Sequence, residues 1–454
     1  MLGNVIDLAE NDTASEGRAS KLPVDPFRPI QYLGNKLRAL PDLLEAAESL
    51  TKSGGRVADL FTGTTVVAQG LAARGYQVTA ADTQRYASFF ARAMLGIGRF
   101  HGESCSFATL LKAGVTAPIG DFRHSWNQFL DWEASALQHA DATGLASLSA
   151  CLPLIWRIPN HPFRQLVEVA PTRSALGELP LLTSVYAGSY FGVRQALVLD
   201  ELRQNAESAR ASGHLTDWQY CATLTAIMSA ASAAAHSAGK HFAQPLNAGS
   251  LRNERFLKGR LLQDRRVDIE KEFAAACNKI NVKAVLADRE HQAWLGSAES
   301  FVTSGAEADL YYLDPPYTAQ QYSRFYHVLE TICTYEYPQL FENGALTTGL
   351  YPNNRYKSAF SSKRKAPEAF QAIISGAKAS GTALAISYSQ SAAASRGNAR
   401  MIALEQLLEL CSAEFGRANV QLLQLNHRYR QFNSSSASNA DRDDPEILIT
   451  CKPR

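Results

Sequence analysis

The stretch from Arg56 to Asp82 constrains the fold more than any other part of the chain. Arg56-Val57-Ala58-Asp59-Leu60-Phe61 reads as a short buried strand that ends in the small-residue turn Thr62-Gly63-Thr64-Thr65. Val66 to Arg74 follows with helical character, and Gly75 suits the position just past a helix end. Gln77-Val78-Thr79-Ala80-Ala81 reads as a second strand ending at Asp82. A strand, a turn, a helix and a strand in this order open a doubly wound, Rossmann-like α/β domain.

The 454-residue chain is long enough for about two or three domains. Residues 1–25 are polar, with mixed charge and no apolar core, and read as a disordered tail rather than a secretory signal. Residues 26–100 form the first part of the α/β domain. They include a helical stretch over 36–50 with Leu37, Leu40, Leu43 and Leu44 on one stripe. Strand–helix alternation lapses over 101–280, which contains Ala-rich (Ala222–Ala238) and charged (Asp268–Lys279) helical segments, so this region reads as a mainly helical insertion.

Alternation returns over 281–454. Strands are expected at Val282–Leu286, ending near Asp288, at Asp309–Leu313 and at Thr382–Ser387. Val420–Leu425 and Glu446–Cys451 suit a final antiparallel pair around the polar loop 433–439. The α/β domain is therefore expected to be discontinuous in sequence. No apolar run reaches the roughly 18 residues that span a bilayer. Seven scattered cysteines with no Cys-x-x-Cys pair argue against structural zinc and fit a reduced, cytoplasmic protein.

Two turns carry chemistry. In Asp59-Leu60-Phe61-Thr62-Gly63-Thr64, a strand feeds a helix through a turn whose glycine lets backbone N–H groups come close to a ligand. Asp82, about twenty residues after the turn, is spaced for a carboxylate that hydrogen-bonds a ribose diol. Taken alone, this pattern is equally that of an ordinary βα turn. The second turn is more telling. Leu310-Tyr311-Tyr312-Leu313 runs into Asp314-Pro315-Pro316-Tyr317, a stiff turn because two prolines fix φ and remove donors. An exocyclic amino group has two N–H bonds to donate. Asp314 and the Pro315 carbonyl can accept one each and push the nitrogen toward a tetrahedral form. Tyr317 offers a face for a base, and such stacking is worth roughly 1–3 kcal/mol.

These residues resemble the D12 (Dam-like) class of adenine-specific DNA methyltransferases. Tyr32-Leu33-Gly34-Asn35-Lys36 resembles the N-terminal cofactor motif, Asp59 to Thr64 the Phe-x-Gly-x-Gly motif, and Asp314 to Tyr317 the catalytic motif. Their order, with a long insertion before the last, is that of the alpha group. Gln320-Gln321-Tyr322, Tyr326-His327-Val328-Leu329-Glu330, Ile386-Ser387-Tyr388-Ser389, Tyr190-Phe191 with Gln195-Ala196, and Gly239-Lys240-His241-Phe242 are similar to segments of a subset of these enzymes.

The resemblance implies N6 methylation of a flipped adenine in double-stranded DNA, with S-adenosyl-L-methionine as cofactor. It also implies a place in restriction–modification, with a separate restriction endonuclease as the partner. Asp314, Pro315, Pro316 and Tyr317 would be catalytic. Tyr32, Gly34, Lys36, Asp59, Phe61, Gly63, Thr64, Asp82 and Asp314 would bind the cofactor, and no metal is expected. Methylation of cytosine N4 or of RNA adenine, or a non-catalytic DNA-binding subunit, are the rival readings. Thr65 stands where the family has a second glycine, and Ala81 where asparagine often precedes the acid. Because Thr65 carries a Cβ, its φ is expected to stay negative.

A net charge of +2 neither demands nor excludes nucleic acid. Arg324, Arg355, Lys357, Lys363, Arg364 and Lys365 cluster after the catalytic motif and are candidates for phosphate contact, with Ser358–Ser362 as a flexible stretch among them. Arg252, Arg255, Lys258 and Arg260 form a second group, and Arg428 and Arg430 a third. A solvated surface is the plain alternative for any one of them. His327 reads either as a site residue or as a packed structural histidine.

Overall fold

A computed structural model describes residues 24–110, 119–152, 180–246, 254–284, 290–389, 399–428 and 445–453, apart from 35, 107, 109, 343, 344 and 348. The expected tail (up to residue 23), Asn35, the loop 433–439, Arg252 and Arg430 lie outside the described residues.

Seven strands form one sheet: β1 (Arg56–Asp59), β2 (Gln77–Asp82), β3 (Gln292–Leu295), β4 (Leu310–Leu313), β7 (Ala383–Ser389), β8 (Val420–Arg428) and β9 (Pro445–Cys451), in the order β3-β2-β1-β4-β7-β9-β8. A separate hairpin pairs β5 (Phe341–Glu342) with β6 (Ala345–Leu346). The contacts from β3 through β7 are parallel. β9 runs antiparallel between β7 and β8. This is the Rossmann-like α/β class the sequence implied.

The alternation of side chains explains the layers. Val57, Leu310, Tyr312, Ala383 and Ala385 pack on one face with the helices α1 (Leu40–Leu50) and α2 (Val66–Ala73). Ala58, Tyr311, Leu313, Leu384 and Ile386 pack on the other, against the helices Ala298–Thr303, Ala366–Ala379 and Leu404–Phe415. α1 starts with a proline in its first turn and buries Leu40, Leu43, Leu44, Ala46 and Ala47. Leu37, expected on the same stripe, precedes the helix and is exposed.

The described residues of 101–280 are mainly helical. The helices Val193–Ala211, Asp217–Ala234 and Ile269–Lys283 share one core with α3 (Arg85–Met94) of the sheet domain and with the helix His327–Thr334. Trp218 is fully buried there and donates its indole N–H to Ala93 O at 3.0 Å.

One expected strand is corrected. Val282 and Lys283 end a helix that begins at Ile269, with Asp268 capping it through the N–H groups of Glu270 and Lys271; residues 285–286 lie outside the described set. Ile269, Phe273, Ala276, Cys277 and Ile280 form its buried face, while Val282 is 79% exposed, unlike a buried strand residue. The strand of this region is β3, an edge strand with a partly exposed pattern and an apolar run of only three residues, Ala293-Trp294-Leu295.

Candidate active site

Successive strands run outward from β1 in opposite directions, β2 and β3 to one side and β4 and β7 to the other. The carboxyl ends of β1 and β4 therefore border a crevice, the place where open α/β sheets put their ligands. Leu60 N–H donates to Tyr312 O and Thr62 N–H to Ala81 O, both at 3.0 Å, so the turn after β1 is laced to both neighbouring strands. A cleft of about 690 Å³, open to solvent, lies at this edge.

The turn is held by its own backbone. Gly63 has φ 49°, and its N–H donates to Asp82 Oδ2 at 3.0 Å. A Cβ at Gly63 would lie 2.9 Å from the Tyr32 ring, so only glycine lets this aromatic lie against the turn. Thr65 corrects the expectation of negative φ: it is left-handed, with φ 65° and ψ 10°. Its N–H reaches Thr62 O at 2.6 Å, and its hydroxyl accepts from Gln69 Nε2 at 2.9 Å. Gln69 in turn exchanges two hydrogen bonds with the backbone of Phe27.

Of the candidate cofactor residues, Tyr32, Phe61, Asp82 and Asp314 face the cleft, as does Pro316 of the catalytic turn. Asp82 Oδ1 also accepts the Gln84 N–H at 2.9 Å, and burial pushes its carboxyl up to about 6. Asp59, Gly34, Lys36, Gly63 and Thr64 do not line it. Asp59 is fully buried, and that burial raises its carboxyl to about 7, against a lowering by Thr62.

The Asp-Pro-Pro-Tyr turn sits on a buried charge cluster. Lys36 Nζ lies 2.8 Å from Asp314 Oδ1, 2.6 Å from Glu446 Oε1 and 3.0 Å from the Tyr317 hydroxyl. Tyr317 OH donates to the same Asp314 Oδ1 at 2.5 Å. Two donors thus occupy one oxygen of Asp314, and among the described residues none reaches Oδ2. Burial raises the Asp314 carboxyl, opposed by Lys36. Burial works against a charged Lys36, yet its pKa is raised well above the ordinary value because Asp314 and Glu446 face it. The Tyr317 ring carries Lys36 Nζ at 5.4 Å from its centroid and packs edge-on against Tyr388.

Tyr32 stacks on Tyr326 at 4.6 Å, and the Tyr326 hydroxyl accepts the Leu33 N–H, tying the N-terminal motif to the segment after the catalytic turn. Glu330 accepts backbone N–H groups of Arg85 and Tyr86 at the start of α3. His327 does not face the cleft. It is buried, donates Nε2–H to Phe242 O at 2.9 Å, and burial pushes its pKa down to about 3, so it is a neutral packed histidine.

The basic candidates divide. Arg324 and Arg355 lie on the Tyr351 ring, with guanidinium carbons 5.1 and 4.4 Å from its centroid. Lys357, Lys363, Arg364 and Lys365 are exposed, with Lys357 between the cleft residues Tyr356 and Ser358. Segment 358–362, expected to be flexible, contains a short 3₁₀ turn with Phe360 buried, and Gln321 accepts the Ser358 N–H at 2.7 Å. Lys258 is paired with Glu254 and Arg260 with Asp264, while Arg255 is exposed. Arg428 ends β8, and its side chain lies outside the described residues.

Several cleft residues carried no recognisable sequence signal: Tyr86, Glu299, Tyr356 and Phe360. Glu446 was read only as the start of a strand. Its signal was an acidic residue opening the apolar run Ile447–Cys451. Among the described residues no cluster could hold a metal ion, the six described cysteines are free and buried, and no helix is long and apolar enough to cross a membrane.

Residues 32–100 and 274–378 match the family described as D12 class N6 adenine-specific DNA methyltransferase, which bears out the resemblance read from the motifs. The intervening 101–273 is left unmatched. The type II methyltransferase M.FokI of Planomicrobium okeanokoites is 23% identical over 367 residues, 79% of this chain and 44% of that protein. The modification methylase StsI of Streptococcus sanguinis is 23% identical over 346 residues, 76% of this chain and 42% of that protein. The modification methylase LlaI of Lactococcus lactis subsp. lactis is 32% identical over 146 residues, 32% of this chain and 21% of that protein. The chain spans less than half the length of these relatives. No solved structure matches.

Proposed function

We propose that this chain, which resembles the D12 class in both segments of its sheet domain, is a site-specific adenine N6-methyltransferase of double-stranded DNA that uses S-adenosyl-L-methionine. The observation that carries the proposal is the single engaged oxygen of Asp314. Lys36 and Tyr317 fix Oδ1, and Oδ2 is left to accept a hydrogen bond beside the cleft.

The cleft fits the cofactor. A carboxylate has about four lone-pair sites. Asp82 accepts from the Gly63 and Gln84 N–H groups, has the Thr83 N–H beside it as well, and keeps capacity for a ribose hydroxyl. Gly63 brings Tyr32 close, and Phe61 gives an apolar wall packed edge-on against Phe360. When bound, the cofactor supplies an electrophilic methyl group. Tyr32, Phe61, Asp82 and Asp314 would hold it directly, with Gly34, Lys36, Asp59, Gly63 and Thr64 shaping the wall from behind.

The flipped adenine, whose extrusion costs a few kcal/mol, enters beside Pro316 and Tyr317. Asp314 Oδ2 and the Pro315 carbonyl each accept one N–H bond of the amino group, which turns its lone pair into the cleft. The chain's contribution is position and the exclusion of water, with no covalent intermediate on the protein. Arg324, Arg355, Lys357, Lys363 and Arg364 hold the DNA backbone. The likeness to two modification methylases and a type II methyltransferase supports a role for this chain, in the cytoplasm, as the modification half of a restriction–modification pair whose endonuclease is a separate chain.

The test is incubation with labelled S-adenosylmethionine and unmethylated genomic DNA, then digestion to nucleosides. Label in N6-methyldeoxyadenosine is expected, and it should vanish in a folded Asp314→Ala variant. Label in cytosine, in RNA alone or in neither nucleic acid would replace this reading with one of its rivals.

A further inference from the structure

Glu446 stands in the sheet next to the catalytic turn, although it is 132 positions away in sequence. It lies on β9, paired with Ser389 at the end of β7, and is 1% exposed. Its Oε1 is 2.6 Å from Lys36 Nζ, which is itself 5% exposed. The same ammonium is 2.8 Å from Asp314 Oδ1. One buried cation is therefore shared by two carboxylates.

The sharing has an electrostatic consequence. A lysine paired one-to-one with Asp314 would draw the carboxylate's electron density to itself and weaken it as an acceptor. Splitting the ammonium between two carboxylates leaves Asp314 with part of its charge unneutralised. That charge sits at the oxygen that Lys36 and Tyr317 do not occupy.

We propose that Glu446 is a positioning residue for the chemistry at Asp314: by holding Lys36 on its far side, it keeps Oδ2 a strong acceptor for the substrate's amino protons. The proposal rests on the methyltransferase reading for its function, but its electrostatic part does not. Among the described residues, the other ionisable groups facing the cluster are Tyr317 from the turn, Tyr312 from β4 and, beyond Asp314, Asp59 from β1. Lys36 is the cation of this set, and Arg400, whose guanidinium donates to Ser389 opposite Glu446, stands at the neighbouring strand end. Removing the charge of Glu446 takes a negative neighbour from Asp314 and must move the Asp314 titration to lower pH.

The experiment has two readouts. Carbon-13 NMR of labelled aspartate carboxyls, with Asp314→Asn to assign the signal, follows the titration of Asp314 in the protein without cofactor or DNA. In Glu446→Gln, which keeps the size and an oxygen acceptor, that titration moves to lower pH. In Glu446→Asp, which restores the charge, it returns toward the parent. Methylation kinetics give the second readout. The Glu446→Gln variant loses kcat by about tenfold or more, a loss of the size that attends weakened proton-accepting groups, with KM for DNA unchanged and the acid limb of the pH profile displaced downward.

An unmoved Asp314 titration in Glu446→Gln overturns the proposal whether or not the protein methylates DNA. A moved titration with no methylation in the parent overturns the methyltransferase reading instead. If Glu446→Gln does not fold, Glu446→Ser decides: it also removes the charge, and an unmoved Asp314 titration in it sinks the idea.

Discussion

Gln69 reaches back one helical turn to Thr65, its Nε2 2.9 Å from the threonine hydroxyl. Through the two bonds between Gln69 and Phe27, this contact joins the start of α2 to the N-terminal segment of the described chain. It also explains how a residue with a Cβ occupies φ 65° in the turn beneath the cleft.

Left-handed backbone costs a non-glycine residue roughly 1–2 kcal/mol, and a buried hydrogen bond returns about 1 kcal/mol. Thr65→Gly relieves the first and forfeits the second, so its unfolding free energy in urea should stay within about 1 kcal/mol of the parent. Thr65→Ala keeps the strain and strands the Gln69 amide, and should lose about 1–3 kcal/mol. A Thr65→Ala variant as stable as the parent would show that the hydroxyl contact contributes nothing, and equal stability of the two variants would show that the left-handed turn costs no strain.

Asp59 gives a pH dependence of unusual sign. Its carboxyl is raised from an ordinary 3.8 to about 7 by burial. A raised acid means that the folded state holds its proton longer than the unfolded chain does. Asp59 therefore costs nothing below pH 3.8, subtracts stability as pH rises from there toward 7, and imposes its full cost above 7. Asp59→Asn should exceed the parent in thermal midpoint above pH 7 and lose that advantage below pH 3.8. A constant difference across the range would mean that the carboxyl titrates like one in water.

Arg324 and Arg355 make the DNA reading measurable. Both guanidinium groups lie on Tyr351, and among the described residues neither meets a carboxylate. The logarithm of DNA affinity falls with the logarithm of salt by about 0.9 for each phosphate contact. Arg324→Gln and Arg355→Gln should each flatten that slope by about 0.9 in anisotropy titrations of duplex DNA. Lys258→Gln, whose ammonium is already paired with Glu254, should leave the slope alone. Slopes identical to the parent in both arginine variants would remove these residues from the DNA surface.

The parts of this molecule that were legible in its sequence are those whose cause is local. β1, α2 and β2 announce themselves by an apolar run, a glycine turn and a terminal acid, and the Asp-Pro-Pro-Tyr turn by its prolines. β3 escapes notice because its apolar run, Ala293-Trp294-Leu295, is short and lies at a sheet edge, whereas the amphipathic helix before it carries Val282 in its last turn. The φ of Thr65 was misjudged because the side chain that stabilises it is four positions further on. His327 and Glu446 could not be assigned from their neighbours in sequence, since one is fixed by Phe242 and the other by Lys36, both far away in the chain.

Phe90 and Met94 of α3 pack in the same core as Trp218 and Phe273 of the inserted helices. That continuity bears on how such a protein can change over generations. The helical block is no cassette: lifting it out would strip oil from the back of the very helix that follows Asp82, and a foreign block would have to reproduce that imprint side chain by side chain. Diversification is thereby channelled to exposed loops, where a substitution alters what the surface touches without reopening the seam.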